Sequence, residues 1–165
     1  KNKHGIDRPF YLYVGNAKEH KNVQTLLDAY AELKSPTHDF ILVTGGPETS
    51  ALRIPRGARF LQGLPQEDMP SLYSAADCLL TASLYEGYCL PVAEALACGC
   101  PVIAANRTAI PEAAHGKAFL VEPTKKGFLD ALRQPLRDRE VFAPERWERT
   151  AEETLAHLKR ALHII

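Results

Sequence analysis

Nothing in the sequence gathers charge of one sign: Lys plus Arg equal Asp plus Glu at 20 each, and no dense Lys/Arg run with interleaved aromatics occurs. A nucleic-acid groove needs such a footprint, so nucleic acid is not expected as a partner. No apolar run approaches the roughly 18 to 20 residues that span a bilayer, and no signal peptide opens the chain, so a soluble protein without a transmembrane segment is expected. The four cysteines, Cys78, Cys89, Cys98 and Cys100, form no C-x2-C pair of the kind that holds zinc. Reduced, buried thiols in a cytosolic protein are the expectation. His4, His20, His38, His115, His157 and His163 are scattered without H-E-x-x-H or other metal spacing, and Ser83 lies outside any G-x-S-x-G elbow. The loop after the first apolar burst lacks both G-x-G-x-x-G and G-x4-G-K-[ST], which disfavours a dinucleotide oxidoreductase and a P-loop nucleotidase.

What is present is a globular composition, 45% hydrophobic and 24% charged. A chain of this length fits one domain and buries roughly 70% of the surface it exposes when unfolded. Apolar bursts of strand length stand at Phe10 to Val14, Phe40 to Gly45, Ala58 to Gly63, Cys78 to Ala82 and Pro101 to Ala105, with a sixth, shorter one at Ala118 to Val121. They alternate with helical stretches, and such alternation predicts a parallel sheet. Val23, Leu26, Leu27 and Tyr30 follow the i, i+3, i+4, i+7 pattern of a helix facing that sheet. Further helices are predicted at about Met69 to Ala76, Pro91 to Cys98, Ile110 to Ala114 and Lys126 to Arg139. The bursts themselves lack polar alternation, as strands covered on both faces should. The expectation is an α/β fold: a Rossmann-like, doubly wound parallel sheet of about six strands spanning residues 1–143. From Pro144 a charged helix is predicted over residues 144–165, with Ala151, Leu155, Leu158 and Leu162 on one stripe, packing on this domain or reaching another. In such sheets ligands sit outside the carboxyl ends of the strands, which gathers Gly15 to Lys21, Gly45 to Pro47, Gly63 to Leu64 and Ser83 to Leu90 at one edge.

One stretch in that set is unusual. In "SLYEGYCLPVAEALACGCPVIAA" (Ser83 to Ala105), Glu86 sits in a Gly- and Pro-bounded loop and Glu94 in the small-residue helix that follows. Gly87 allows a tight turn, Pro91 suits a first helical turn, and the intervening amides form either an anion site or an ordinary loop-to-helix junction. A helix N-terminus favours a phosphate by roughly 0.3 to 1 kcal/mol. Glu94, three residues after Pro91, is read as lying in the first turn, where a carboxylate suits the dipole with or without a ligand. Glu86 has no sequence-local basic partner, which favours a functional role. Lys21, just before the first helix, can reach a phosphate or can be a solvated loop lysine; Lys18 fits the latter better.

These residues carry a family resemblance. The chain resembles the C-terminal, donor-binding domain of retaining glycosyltransferases of family 4, enzymes of the two-domain GT-B fold. The resemblance covers most of the chain and rests on "LYVGNAKEHKNVQTLLDAYAEL", "FLQGLPQEDMPSLYSAADCLLTASLYEGYCLPVAEALACGCPVIAA", "IPEAAHGKAFLVEP" and "WERTAEETL". Glu86 and Glu94 match the family's E-x7-E pair. The resemblance implies that Glu86 contacts the transferred sugar and Glu94 holds the ribose hydroxyls of the nucleotide. It further implies that the amides of Gly87, Tyr88, Cys89 and Leu90 bind sugar hydroxyls and diphosphate oxygens. Lys21 would neutralise the leaving diphosphate, next to Gly15 and Asn16, and backbone around Gly45 and Leu64 would line the base.

The sequence departs from the family pattern at Asn16, where many relatives have arginine; loss of that bidentate cation is expected to weaken stabilisation of the departing diphosphate. Tyr88 and Cys89, where phenylalanine and glycine are common, are expected to narrow donor choice. The implied reaction transfers a sugar from a nucleoside diphosphate sugar to an acceptor hydroxyl with retention, Glu86 and Lys21 being the catalytic groups. No divalent metal or other cofactor is implied, because lysine and the helix dipole take over charge neutralisation. The implied partners are the nucleotide sugar and an N-terminal GT-B domain that binds the acceptor, in the same or a separate chain. Because the sequence begins at Lys1, a piece of a longer protein is expected, poor in transfer by itself, cytoplasmic or peripheral at the inner face of the membrane. The alternatives are a noncatalytic GT-B-like interaction module, favoured by Asn16 alone, and a GT-B sugar phosphorylase or epimerase.

Overall fold

A computed structural model describes residues 2–33, 36–134 and Phe142. Six strands stand where the apolar bursts do: β1 (Phe10–Val14), β2 (Asp39–Val43), β3 (Ala58–Leu61), β4 (Cys78–Thr81), β5 (Val102–Ala105) and β6 (Phe119–Val121). They form one sheet in the order β3-β2-β1-β4-β5-β6, with every neighbouring pair parallel. This is the Rossmann-like, doubly wound arrangement expected from the alternation of strands and helices. The second and third strands end two residues before the apolar bursts do, because Thr44, Gly45, Gln62 and Gly63 have already turned into loops.

Among the described residues four α-helices connect strands, α1 (Val23–Ala31), α2 (Met69–Ala75), α3 (Leu90–Ala97) and α4 (Ile110–Ala114), and a fifth, α5 (Lys125–Leu132), follows β6. In α1 all four residues of the predicted stripe are buried. Helix α5 begins on a capping bond, the Gly127 amide donating to the Thr124 hydroxyl at 3.1 Å. It ends at Leu132 rather than at the predicted Arg139: Arg133 caps it and Gln134 has left it. Pro135 follows, and the residue before a proline is pushed out of the helical region. The rest of that predicted helix, the helix predicted from Pro144 and the "WERTAEETL" match lie outside the described residues.

Strand residues alternate between two cores. Phe10 and Leu12 of β1 enter one core with Met69 and Leu72 of α2, Val92 and Leu96 of α3, and Ile110 of α4. Tyr11 and Tyr13 enter the other with Leu26, Leu27 and Tyr30 of α1 and Phe128 of α5. Both faces of β1 and β4 are therefore sealed, and that is why their sequences run apolar without a polar alternate. From β1 the chain winds outward through β2 to β3; from β4 it winds the other way to β6. The direction reverses between β1 and β4, and the loops leaving those two strands frame the crevice where such sheets bind ligands.

Candidate functional site

The loop after β1 is held from below. Gly15 adopts φ 146, and its amide donates to the Val43 carbonyl at 3.1 Å. A Cβ at this position would stand 3.1 Å from the Tyr13 hydroxyl, which itself donates to the Asn16 carbonyl at 2.6 Å. Asn16 is exposed, and its Oδ1 accepts from the Lys18 amide at 3.3 Å, a local turn that leaves its Nδ2 as the side chain's donor. Lys18 is exposed. A 3-10 turn (Glu19–Lys21) then leads to Asn22, which is left-handed at φ 54. Asn22 donates through Nδ2 to the Pro123 carbonyl at 3.1 Å and accepts from the Thr25 hydroxyl at 2.6 Å. These bonds fix the backbone that carries Lys21.

The loop after β4 is stitched to it: the Leu84 amide donates to the His20 carbonyl at 2.8 Å. Lys21 Nζ and Glu86 Oε1 form an ion pair at 2.6 Å, with their side chains only 19% and 13% exposed. Glu86 thus has a basic partner, from 65 residues earlier in the chain. The Glu86 amide donates to the Thr108 hydroxyl at 3.0 Å, and Thr108, a β-branched residue, is left-handed at φ 45. The carboxylate is felt by its neighbours. Burial and then Glu86 raise the Tyr13 phenol, and the same two causes push the Cys89 thiol up to about 11.

The turn into α3 differs from its sequence reading. The left-handed residue is Cys89, the N-cap, at φ 75, while Gly87 has no left-handed φ. The amides of Gly87, Cys89 and Leu90 have no acceptor among the described residues. Tyr88 is half-buried against the core, and Leu84, Tyr85 and Leu90 are exposed around Glu86. Because α3 starts at Leu90, Glu94 is its fifth residue and no acidic residue stands in its first turn. The dipole reading of Glu94 is therefore corrected. Its Oε2 instead accepts from the Tyr73 hydroxyl at 2.7 Å.

Gly45 lies exposed in the loop after β2, and Leu64, after β3, is half-buried against the core. The residues singled out in the sequence thus lie at the carboxyl ends of four adjacent strands and on α3, with Lys21 and Glu86 in direct contact. Tyr73 and Thr108 were not singled out in the sequence, and the hydroxyls of Thr44 and Ser83 are buried without a hydrogen-bond partner among the described residues. Tyr73 sits 21 residues before Glu94 on another helix, a separation that no periodicity marks. Among the described residues no three His, Cys, Asp or Glu side chains group as a metal site, all four cysteines are free with three of them buried, and no helix is long and apolar enough to cross a membrane.

Residues 1–154 match the family described as glycosyl transferases group 1. The O-antigen chain mannosyltransferase B of Escherichia coli is 34% identical over 141 residues, covering 78% of this chain and 37% of that protein. The D-inositol 3-phosphate glycosyltransferase of Corynebacterium urealyticum is 32% identical over 180 aligned residues, covering 91% of this chain and 42% of its own length. The chain thus spans about two fifths of these curated relatives, on the 37% and 42% just given. Among solved structures, sucrose-phosphate synthase from Thermosynechococcus elongatus superposes with a TM-score of 0.66 at 28% identity, covering 80% of this chain and 37% of that one.

Proposed function

The chain belongs to the glycosyl transferases of group 1, and from that premise we propose that it is the donor-binding domain of a retaining, family 4 glycosyltransferase. The reaction moves a sugar from a nucleoside diphosphate sugar to an acceptor hydroxyl. The observation that carries this reading is the meeting of Lys21 and Glu86 at 2.6 Å beside the amides of Gly87, Cys89 and Leu90, which have no acceptor among the described residues, at the point where the sheet reverses direction.

In this reading a diphosphate takes the amides at the head of α3, where the helix dipole contributes roughly 0.3 to 1 kcal/mol, and draws the Lys21 ammonium toward its oxygens. Glu86, released from Lys21, accepts a hydroxyl of the donor sugar and orients the ring. Glu94 takes the ribose hydroxyls, and backbone at Gly45 and Leu64 lines the base. The bond from the anomeric carbon to the phosphate oxygen breaks, and its electron pair leaves with the nucleoside diphosphate. The acceptor oxygen then bonds to that carbon on the same face, and its proton passes to the departing phosphate. Lys21, the helix amides and the Asn16 side-chain amide stabilise the leaving charge without a divalent metal. The acceptor is supplied by a further domain, and the enzyme works in the cytoplasm or at the inner face of the membrane.

Transfer of labelled sugar by the intact polypeptide, before and after Glu86→Ala, tests the reading. Loss of transfer by at least about 100-fold is expected for a group positioning the reacting centre. Unchanged transfer overturns the role given to Glu86.

A further inference from the structure

Glu94 stands on an exposed part of α3, where a carboxylate ordinarily samples several rotamers. Among the described residues no cation pairs with it. What holds it is one hydroxyl: Tyr73 Oη donates to Oε2 at 2.7 Å. Tyr73 is 1% exposed, and its ring belongs to the core that also contains Val92 and Leu96 of α3. A donor fixed in the core is thus presented to a carboxylate at the surface. Burial and the charge of Glu94 both raise the phenol, so the hydroxyl stays protonated and donating. A carboxylate has about four lone-pair sites, so one bond from tyrosine leaves acceptor capacity on both oxygens. Two neighbouring hydroxyls of a ligand need those acceptors in one plane, and a carboxylate already fixed in rotation loses less freedom on binding.

We propose that Tyr73 is a positioning residue, whose buried hydroxyl sets the Glu94 carboxylate in the orientation that accepts the vicinal hydroxyls of the nucleotide ribose. The inference rests on the reading in which Glu94 holds the ribose, and it adds the group that makes Glu94 competent to do so. Tyr73 itself touches no ligand. The prediction is therefore specific to the two ribose hydroxyls: removing the Tyr73 oxygen affects nucleotides that possess them and spares those that do not.

The test is calorimetric titration of the chain with UDP, GDP and ADP and with their 2′,3′-dideoxy counterparts, for the unsubstituted protein, Tyr73→Phe, Glu94→Ala and the double variant. Tyr73→Phe removes one oxygen and keeps the ring that fills the core. It is expected to weaken the ribonucleotide that binds by about 3- to 10-fold, the range of one hydrogen bond. Binding of the dideoxy counterpart is expected to be unchanged, and the substitution is expected to add nothing in the Glu94→Ala background. An equal loss for ribo- and dideoxynucleotides, which a merely structural role would give, overturns the inference. So does full binding by Tyr73→Phe while Glu94→Ala loses it, and that result leaves the ribose role of Glu94 standing. If Glu94→Ala binds normally, or the unsubstituted chain binds none of the three, the underlying reading fails and the inference with it.

Discussion

The Lys21–Glu86 pair joins two residues that the sequence offered separately, one as a phosphate ligand and one as a sugar ligand. Their contact was not legible because it spans 65 residues and three crossovers of the sheet. With side chains 19% and 13% exposed, each charge loses much of its hydration and relies on the other. Lys21→Met and Glu86→Gln are each expected to lower stability by about 1 to 2 kcal/mol, and the double variant by clearly less than the sum, in a urea-denaturation cycle. Strict additivity would mean that the pair contributes nothing. Removing the negative charge also frees the ammonium. Glu86→Gln is therefore expected to bind a nucleoside diphosphate at least as tightly as the unsubstituted chain while losing sugar transfer, a separation visible by comparing titration with turnover. Cys89 provides a different case, a buried side chain held in the left-handed region that favours glycine. Cys89→Gly is expected to be about 1 kcal/mol more stable than Cys89→Ala, because both lose the thiol and only alanine keeps the backbone strain.

Among the elements, strands and most helices were readable because burial on both faces leaves a strong imprint on the sequence: a continuous apolar run where the sheet is covered, a 3.6-residue stripe where a helix faces it. The head of α3 was less readable. Glycine at position 87 suggested the turn, whereas the left-handed turn falls on Cys89 and shifts Glu94 out of the first turn. Helix α5 shows how capping and packing override propensity. Thr124→Ala removes the bond from the Gly127 amide and is expected to cost about 1 kcal/mol. At Gly127 alanine is the better helix former, yet its Cβ would collide with the Glu122 carbonyl oxygen, so Gly127→Ala is expected to destabilise the chain. A gain in urea midpoint for Gly127→Ala would contradict the packing described around this turn.

For the whole molecule, two sealed cores place neutral acids where water cannot solvate their charge. Burial first, then neighbouring groups, raises Tyr11 from 10.0 to about 12, and burial with Glu86 raises Cys89 from 9.0 to about 11. For such groups stability is fully present below the ordinary values and is lost as pH rises through the raised ones. The chain is therefore expected to unfold cooperatively in alkali. The absorbance of ionised Tyr11, Tyr13, Tyr30 and Tyr73 should appear with loss of structure rather than before it. The doubly wound sheet was legible from the order of apolar bursts, and the gathering of the candidate loops at the carboxyl ends of its strands from that topology. The bonds that hold these residues, from the Tyr73 hydroxyl to the Glu94 carboxylate and from the Glu86 amide to the Thr108 hydroxyl, were not, because they depend on which helices and loops the fold brings side by side.

The central claim is a donor site that uses lysine and backbone amides in place of a metal ion. Calorimetric titration of the chain with UDP, GDP and ADP in the presence of a chelator, with Glu94→Ala as the control, tests it most directly. Binding of one of the three nucleotides, lost in the variant, is the predicted result. Binding that appears only when a divalent metal is restored, binding that survives Glu94→Ala undiminished, or no binding by any of the three would contradict it.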